Sequence, residues 1–368
     1  MRYALVNNSW GEEEHRAVIQ VLEDKRITMG DKVAEFEARF ASTIGSKYAV
    51  MVNSGSSANL LAISSLFYHS ERRLKVGDEA IVPAMGWSTT YSPLHQHGLK
   101  MKIVDVEMDS LNMDVSKLED ALTEKTRLLV GVNILGNPAS LDEIRSFADE
   151  HDLWFIEDNC ESMGASLNGY QCGTWGDIGT FSMFFSHHLN TGEGGILVTN
   201  EKSLYETLLM LRAHGWDRAL KLDGGFYNFV LPGYNVRPTE ITAAVGLVQL
   251  DKLSHDIKTR RENAALFNKF FGDDPRFRIQ VENGKSSWFS FTMIPENRTP
   301  YLSKMREAGI EHRAICGGCV TEHPVAKYYD YSTVGDLPNA RKAHYQGFFV
   351  GNSGINLAPE LNHLKETL

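Results

Sequence analysis

Short apolar runs alternate with helical stretches between residues 31 and 199 of the chain. This alternation constrains the fold most, because apolar strands separated by helices are typical of a mostly parallel sheet that is covered on both faces. The predicted strands are Tyr48–Val52, Glu79–Pro83, Met101–Asp105, Leu128–Val132, Leu153–Glu157, Thr180–Phe185 and Gly195–Thr199. The predicted helices are Asp31–Gly45, Ser57–Tyr68, Trp87–His97, Val115–Leu122 and Leu141–His151. The pattern therefore predicts an α/β fold.

The pattern changes in the last third of the chain. A long helical stretch follows Pro238, and beyond it two strands, Phe277–Gln280 and Ser287–Met293, are predicted in a smaller α+β segment. A chain of 368 residues with 42% hydrophobic residues is long enough for two domains. We expect a large domain over residues 1–250 and a small one over residues 251–368, with the boundary inside the long helix.

Charge and hydropathy exclude several classes of protein. The formal net charge is −10, and acidic and basic residues are interspersed, which argues against a nucleic-acid-binding surface. Residues 1–10 contain no apolar signal core. No apolar run reaches the ~18 residues that a membrane span needs. The sequence therefore predicts a cytoplasmic protein.

The four cysteines raise the question of a metal or redox site. Cys316 and Cys319 have the C-x-x-C spacing of metal, redox and iron–sulfur sites. No second pair with this spacing accompanies them, since Cys160 and Cys172 are twelve residues apart. We therefore expect no metal, and four reduced thiols in a cytosolic protein.

Polar residues follow several predicted strands, where ligands bind in open α/β sheets. Residues 53–59 are small and open a helix, so their N–H groups can bind a phosphate, although a serine helix cap explains them equally well. Asp158 can pair with a pyridine nitrogen or cap a helix. Trp87 can stack on a flat ring, although a lone tryptophan packs more often in a core.

A turn after a predicted strand carries two adjacent histidines, His187 and His188, ahead of Glu193. Neighbouring side chains on a turn point apart, so at most one should face a ligand. An imidazole has an ordinary pKa of about 6.5 and can move a proton near neutral pH. Residues 126–201 contain no lysine. An imidazole cannot form the stable imine that a lysine forms with an aldehyde.

Long motifs across nearly the whole chain resemble the sugar aminotransferase and dehydratase family of enzymes that use pyridoxal 5'-phosphate (PLP). The motifs are Lys47–Leu61, Trp87–Tyr91, Leu135–Pro138, Glu157–Ala165, Arg212–Trp216 and Phe229–Pro238. The resemblance implies the aspartate aminotransferase fold, fold type I. It also implies a homodimer with active sites at the interface.

The resemblance places His187 where this family carries the lysine that binds PLP, six residues before Glu193 and five after Ser182. The histidine pair is a mark of the family's dehydratases, and it implies that PLP binds without a covalent bond and that His187 is the catalytic base. The implied cofactor contacts are Gly55, Ser56 and Ser182 for the phosphate, Trp87 for the ring face, Asp158 for the pyridine nitrogen, Glu161 for the ring hydroxyl side, and Asn235 for the partner subunit's cofactor. The implied substrate contacts are His214, Arg218, Arg237 and Arg313.

The dehydratases of this family imply a reaction. L-Glutamate would convert PLP to pyridoxamine 5'-phosphate (PMP), and the C3 hydroxyl of a GDP-linked 4-keto-6-deoxy sugar would then be removed with release of ammonia. Three alternatives stay open: a nucleotide-sugar aminotransferase, a dehydratase of another nucleotide 4-ketosugar such as a CDP-linked one, and a PLP-binding regulator. The CDP-sugar enzymes resemble a longer chain with an iron–sulfur cysteine cluster, whose spacing this sequence lacks. The segment of residues 217–228 is shorter than the equivalent segment in the GDP-sugar dehydratases of this family.

Overall fold

A computed structural model describes residues 2–220 and 227–368. Its α-helices are α1 (Glu12–Glu23), α2 (Asp31–Ile44), α3 (Gly55–Leu66), α4 (Ser88–Gln96), α5 (Leu118–Ala121), α6 (Leu141–Glu150), α7 (Lys202–Arg212), α8 (Glu240–Phe271), α9 (Thr299–Glu307), α10 (Pro338–Gln346) and α11 (Ala358–Thr367). Its strands are β1 (Tyr48–Val52), β2 (Glu79–Pro83), β3 (Lys100–Val104), β4 (Thr126–Val132), β5 (Trp154–Asp158), β6 (Ser166–Leu167), β7 (Tyr170–Gln171), β8 (Ile178–Ser182), β9 (Gly195–Thr199), β10 (Ser290–Met293), β11 (His312–Arg313), β12 (Tyr331–Thr333) and β13 (Phe348–Gly351). Short 3₁₀ helices lie at Val115–Lys117, Ile134–Gly136, Asp217–Leu220, Ile315–Gly317, Val320–Glu322 and Pro324–Tyr328.

The main sheet has the strand order β1-β9-β8-β5-β4-β2-β3-β12. The strands from β8 to β12 in this order are parallel, and β9 is antiparallel to both of its neighbours. Every residue of β5, β8 and β9 is buried, as expected for strands covered on both faces. The predicted α/β fold is confirmed, and three strands match their predicted bounds, namely Tyr48–Val52, Glu79–Pro83 and Gly195–Thr199.

The predicted strand Thr180–Phe185 is displaced in the structure. Strand β8 spans Ile178–Ser182, and the chain leaves the sheet at Ser182 because the following turn closes on itself. The Met183 N–H donates to Gly194 O at 2.8 Å, and Phe185 N–H donates to Gly192 O at 2.9 Å. These bonds hold the two histidines in a loop above the carboxyl end of β8.

A second sheet, in the order β10-β13-β11, belongs to the C-terminal part of the chain. The prediction of a strand at Phe277–Gln280 is wrong, because only one bridge, from Arg278 to Ile294, forms there. The strand predicted at Ser287–Met293 begins at Ser290, since Trp288 has a left-handed φ of 48° that no strand accepts.

Two parts of the chain cross the expected boundary near residue 250. Strand β12 pairs with β3 in the main sheet, and Tyr3 packs in the C-terminal core, where its hydroxyl donates to Gly351 O. The division into residues 1–250 and 251–368 stays a prediction. The short segment 217–228 lies partly outside the described residues, which omit 221–226. None of the described helices is long and apolar enough to cross a membrane.

Candidate active site

Asp158 ends β5 and is buried at the carboxyl edge of the sheet. Its Oδ2 accepts hydrogen bonds from Asn59 Nδ2 and Thr90 Oγ1, both at 2.8 Å, and its Oδ1 accepts the Cys160 N–H at 3.1 Å. A carboxylate has about four acceptor positions. The Cys160 thiol also donates to this carboxylate, so an N–H donor such as a pyridinium would share it with these groups.

The start of α3 lies against the end of β8. Ser54 caps the helix by accepting the Ser57 N–H at 3.1 Å, which leaves the preceding amides to point outward. A Cβ on Gly55 would lie 2.6 Å from the Ser182 Cβ, so only glycine permits this close approach. The helix N-terminus and the Ser182 hydroxyl together form a site that suits a phosphate.

Ser56 and Trp87 occupy the open side of this site. The Ser56 hydroxyl bonds to Thr89 Oγ1 at 3.1 Å, which ties the start of α3 to the start of α4. Trp87 precedes α4 and is 59% exposed, so its ring face is available to a ligand. A Cβ on Gly317 would lie 3.7 Å from the indole, which places the Cys316–Gly317 turn beside it.

Glu161 lies in the same region, and a residue that donates a hydrogen bond to it has a strained backbone. Its Oε2 accepts the N–H of Leu135 at 2.9 Å, and Leu135 has a left-handed φ of 54°. Cys316, which also has a positive φ, donates its thiol hydrogen to Glu161. Burial raises the pKa of Glu161 to about 7, and the nearby Asp158 charge adds to the rise. Glu161 is thus poised between its two protonation states at neutral pH.

His187 sits in the turn after β8 and is partly buried. Its ring is edge-on to Phe289, with centroids 5.1 Å apart, and to Phe184 at 6.0 Å. Its Nδ1 lies 3.3 Å from Ser186 Oγ. Burial, and to a lesser degree the positive charge of Arg260, lowers the pKa of His187 to about 3. The pKa of His187 thus lies below the ordinary imidazole value, because partial burial beside a cation disfavours the charged ring.

His188 points into the protein and has a different environment. It is 3% exposed, and its Nε2 lies 3.2 Å from Ser287 O. Its ring also contacts Phe289, so the two histidines share one neighbour although only His187 keeps an open side. Burial and Arg260 lower the pKa of His188 well below its usual value.

The residues expected to bind substrate or the partner's cofactor lie at or near the surface. They are His214, Arg218, Asn235, Arg237 and Arg313. Gly55, Asp158, Glu161 and Ser182 together are called the strand-end cluster. Within the described residues, no hydrogen bond or ion pair joins the surface set to this cluster. Arg218 instead lies over the Trp216 ring at 5.0 Å.

The residues that hold Asp158 and Glu161 in place were missed by the sequence reasoning. Asn59 is itself fixed by Thr180, whose hydroxyl donates to Asn59 Oδ1 at 2.6 Å. Thr90 and Leu135 lie inside motifs that the resemblance rests on, but their contacts depend on how the strands are arranged in space. A polar residue one turn into a helix that faces a strand end is a signal that could have found Asn59 and Thr90, whereas Leu135 acts through its backbone N–H, which no residue type reports.

The cysteines form free thiols. Burial raises the pKa of Cys316 and Cys319, so both are protonated at neutral pH. Among the described residues, no group of three or more histidine, cysteine or carboxylate side chains is arranged to hold a metal ion.

The strand-end cluster fits PLP in its chemistry. A phosphate would meet the N-terminus of α3 and Ser182, and the carboxylate of Asp158 would meet the ring nitrogen. Residues 126–201, which include the histidine turn, contain no lysine that could bond to the cofactor aldehyde. The residues therefore suit the cofactor bound without a covalent link.

Comparison with known proteins agrees with this geometry. Residues 8–353 match the DegT/DnrJ/EryC1/StrS aminotransferase family. The chain is 45% identical to the GDP-4-keto-6-deoxy-D-mannose 3-dehydratase of Escherichia coli O55:H7, over 100% of both chains. A crystal structure of GDP-4-keto-6-deoxymannose-3-dehydratase with a trapped PLP-glutamate geminal diamine covers 100% of both chains at 44% identity, with a TM-score of 0.97.

Another structure of that dehydratase, a histidine-to-asparagine variant with bound GDP-perosamine, has a TM-score of 0.96 at 44% identity and also covers 100% of both chains. These superpositions confirm the expected aspartate aminotransferase fold, fold type I. The chain therefore belongs to the DegT/DnrJ/EryC1/StrS aminotransferase family.

Proposed function

We propose that this protein is a PLP- and PMP-dependent dehydratase that removes the C3 hydroxyl from GDP-4-keto-6-deoxy-D-mannose. The observation that carries the proposal is an imidazole, His187, in the lysine position of a site that keeps Asp158 and the phosphate-binding start of α3. A decayed site need not keep these groups. The full-length likeness to the E. coli dehydratase supports the choice of reaction and substrate.

The cofactor would be held by the groups already described. Gly55, Ser56 and Ser182 would bind its phosphate and Asp158 its ring nitrogen, while Trp87 would cover one ring face. When bound as PMP, the cofactor would supply an amine for the C4 ketone and a ring that can hold the electron pair left by proton removal and return it toward the sugar as the C3 hydroxyl leaves. Glu161 would lie near the ring hydroxyl, where its neutral or ionised form can donate or accept a hydrogen bond.

His187 would carry the proton transfers. Its lowered pKa keeps the ring neutral near neutral pH, so a nitrogen lone pair is available to accept a proton, and the same shift makes the ring a weaker base than a free imidazole. Once protonated, a ring with a low pKa is a strong acid, which suits it to protonate the departing C3 hydroxyl. One residue can then remove a proton in one step and return it in the next, so no second acid is needed.

L-Glutamate would regenerate the amine form of the cofactor, with release of 2-oxoglutarate. The bound PLP-glutamate adduct in the related dehydratase supports this donor, and its bound GDP-perosamine supports a GDP-linked sugar. His214, Arg218, Arg237 and Arg313 are the proposed contacts to these anionic substrates. The product, GDP-4-keto-3,6-dideoxymannose, would serve deoxysugar synthesis for lipopolysaccharide O-antigen, in the cytoplasm where free thiols persist.

The enzyme would act as a homodimer with active sites at the interface. Exposed aromatic and aliphatic side chains lie near Asn235, including Tyr227, Phe229 and Val230. Such a cluster on a soluble protein marks a contact surface. Asn235 is exposed in the single chain, and the proposal gives it to the phosphate of the partner's cofactor.

The direct test is incubation of the protein with PLP, L-glutamate and GDP-4-keto-6-deoxymannose. We expect ammonia and a 3-deoxy product in equal amounts. A stable 4-amino sugar would instead show that the protein is an aminotransferase. Faster turnover of a CDP-linked substrate would show that the protein is a dehydratase of CDP-linked sugars. A His187→Asn control should still bind PLP, measured by its absorbance after gel filtration, but form no product.

An aminotransferase would need a lysine to hold the cofactor, and residues 126–201 contain none. The regulator alternative predicts PLP binding in both wild type and His187→Asn without turnover in either. The incubation therefore separates all three functions.

A further inference from the structure

A small polar cavity lies behind the histidine turn, on the side of α8. Its volume is about 20 Å³, and its walls include Asn7, His187, His188, Asp256, Arg260 and Ser353. A cavity of this size has room for about one water molecule. Two of the residues that line it, His188 and Arg260, each have a buried polar atom with unused hydrogen-bonding capacity.

The first of these atoms is Nδ1 of His188. Since Ser287 O can only accept, the Nε2 that lies 3.2 Å from it must carry the ring hydrogen. The ring is neutral, so Nδ1 keeps a bare lone pair. This atom is buried and has no hydrogen-bond partner among the described residues.

The second atom is Nε of Arg260, a residue that is 5% exposed. Its Nη1 donates to three carbonyl oxygens, those of Trp288, Phe289 and Asn352, at 3.4, 3.2 and 3.0 Å. Its Nε–H is buried without an acceptor, and no carboxylate in the described part of the chain forms an ion pair with it. A buried donor left in this state is costly.

The two atoms require a ligand that donates one hydrogen bond and accepts another. An anion would face the bare lone pair of His188 and the carboxylate of Asp256, and a cation would face Arg260. Water meets both requirements without charge. We propose that this cavity binds one internal water molecule that bridges Arg260 Nε and His188 Nδ1.

This bridge would tie the histidine turn to α8. His188 directly follows His187, and both rings border Phe289, whose carbonyl accepts from Arg260. The water would therefore make His188 and Arg260 positioning residues for His187. This consequence rests on the proposed function, whereas the water site itself does not.

The test of the water site is a high-resolution crystal structure of the wild-type holoenzyme. We expect density within hydrogen-bond distance of both Arg260 Nε and His188 Nδ1. A dry cavity, or an anion in it, would overturn the inference. If the water is present but no 3-deoxy product forms, only the proposed function fails; if product forms and the cavity is dry, only this inference fails.

The positioning role is tested with His188→Phe, which keeps a ring against Phe289 and loses both nitrogens. We expect kcat to fall about tenfold to a hundredfold with KM for the ketosugar little changed, because a displaced base slows the chemistry more than the binding. The matched control is His363→Phe, which removes a similar bond to a backbone carbonyl, Ala308 O at 2.9 Å, elsewhere in the fold. Equal kcat in His188→Phe and wild type would refute the role. If His188→Phe does not fold, Arg260→Lys removes Nε and keeps the charge, with the same expected fall in kcat.

Discussion

His187 and His188 are neighbours in sequence, but the fold separates their environments. His188 is buried against Ser287 O, whereas His187 keeps one side open beside Phe184 and Phe289. Register in the sequence was enough to choose His187 as the candidate base. The lowered pKa of His187 was beyond sequence reasoning, because it comes first from burial of the turn and second from Arg260, and both depend on how α8 packs against the turn.

The substitution His187→Lys tests which residue faces the cofactor aldehyde. A lysine there would place a primary amine in the position that this family uses, so we expect a covalent bond to PLP and loss of dehydration. Borohydride reduction followed by peptide mass mapping would locate the adduct on residue 187. The matched control, Ser186→Lys, carries its amine one residue away in the same turn and should form no adduct. If the lysine introduced at position 187 stays unlabelled, the turn presents another side chain to the cofactor.

The neutral histidines also predict how stability depends on pH. His187 has a folded pKa of about 3 and an unfolded value near 6.5, so the unfolded state takes up a proton first as the pH falls. The stabilisation is complete above about pH 6.5 and is lost progressively toward about pH 3. Replacing His187 by Asn should flatten the fall in unfolding free energy by at most about 1.4 kcal/mol per pH unit, and by less because the ring is partly exposed.

Urea unfolding at several pH values between about 4.5 and 7 would measure this slope. The exposed His95, replaced by Asn, is the control for loss of a surface imidazole. Parallel slopes for His187→Asn and wild type would show that His187 is not desolvated in the folded protein.

At the scale of elements, the apolar runs predicted strand positions best where a turn residue follows the run directly. Strands β1, β2 and β9 were located to the residue because their apolar runs are continuous and end at turn residues. The strand predicted at Phe277–Gln280 has a similar local pattern, but a strand also needs a partner, and only Arg278 finds one. Local sequence cannot report that partner.

The long helix α8 shows how packing overrides helix propensity. Gly246 lies in its interior, where a Cβ would come within 2.9 to 3.2 Å of the Phe36 ring of α2. Alanine would gain about 1 kcal/mol of helix propensity, but overpacking costs about 1–3 kcal/mol. We therefore expect Gly246→Ala to destabilise the protein by about 1 kcal/mol, measured by urea unfolding. Ser254→Ala on the exposed face of α8 should change stability little, and a stabilising Gly246→Ala would mean that α2 and α8 are loosely packed there.

At the scale of the whole molecule, the sequence indicated which strand ends meet at one edge of the sheet. It did not indicate which distant segments of the chain cover that edge. Asp158 and Ser182 could be placed together because they end neighbouring parallel strands. The Cys316 turn, which covers Glu161, arrives from the C-terminal part of the chain, and no local pattern predicts that approach. The proposed role of Asn235 concerns the partner subunit's cofactor, and no pattern in one chain predicts how two subunits meet.

Shared active sites predict that two inactive variants can restore each other. If Asn235 serves the partner's cofactor, a dimer of one His187→Asn protomer and one Asn235→Leu protomer contains one site with both residues intact and one site with neither. Random mixing after mild dissociation gives about half mixed dimers, so activity should recover to about a quarter of wild type. If Asn235 serves its own subunit, every mixed site carries one defect and the mixture stays inactive. The assay needs each homodimer to be folded and inactive alone, which circular dichroism and the ammonia assay establish before mixing.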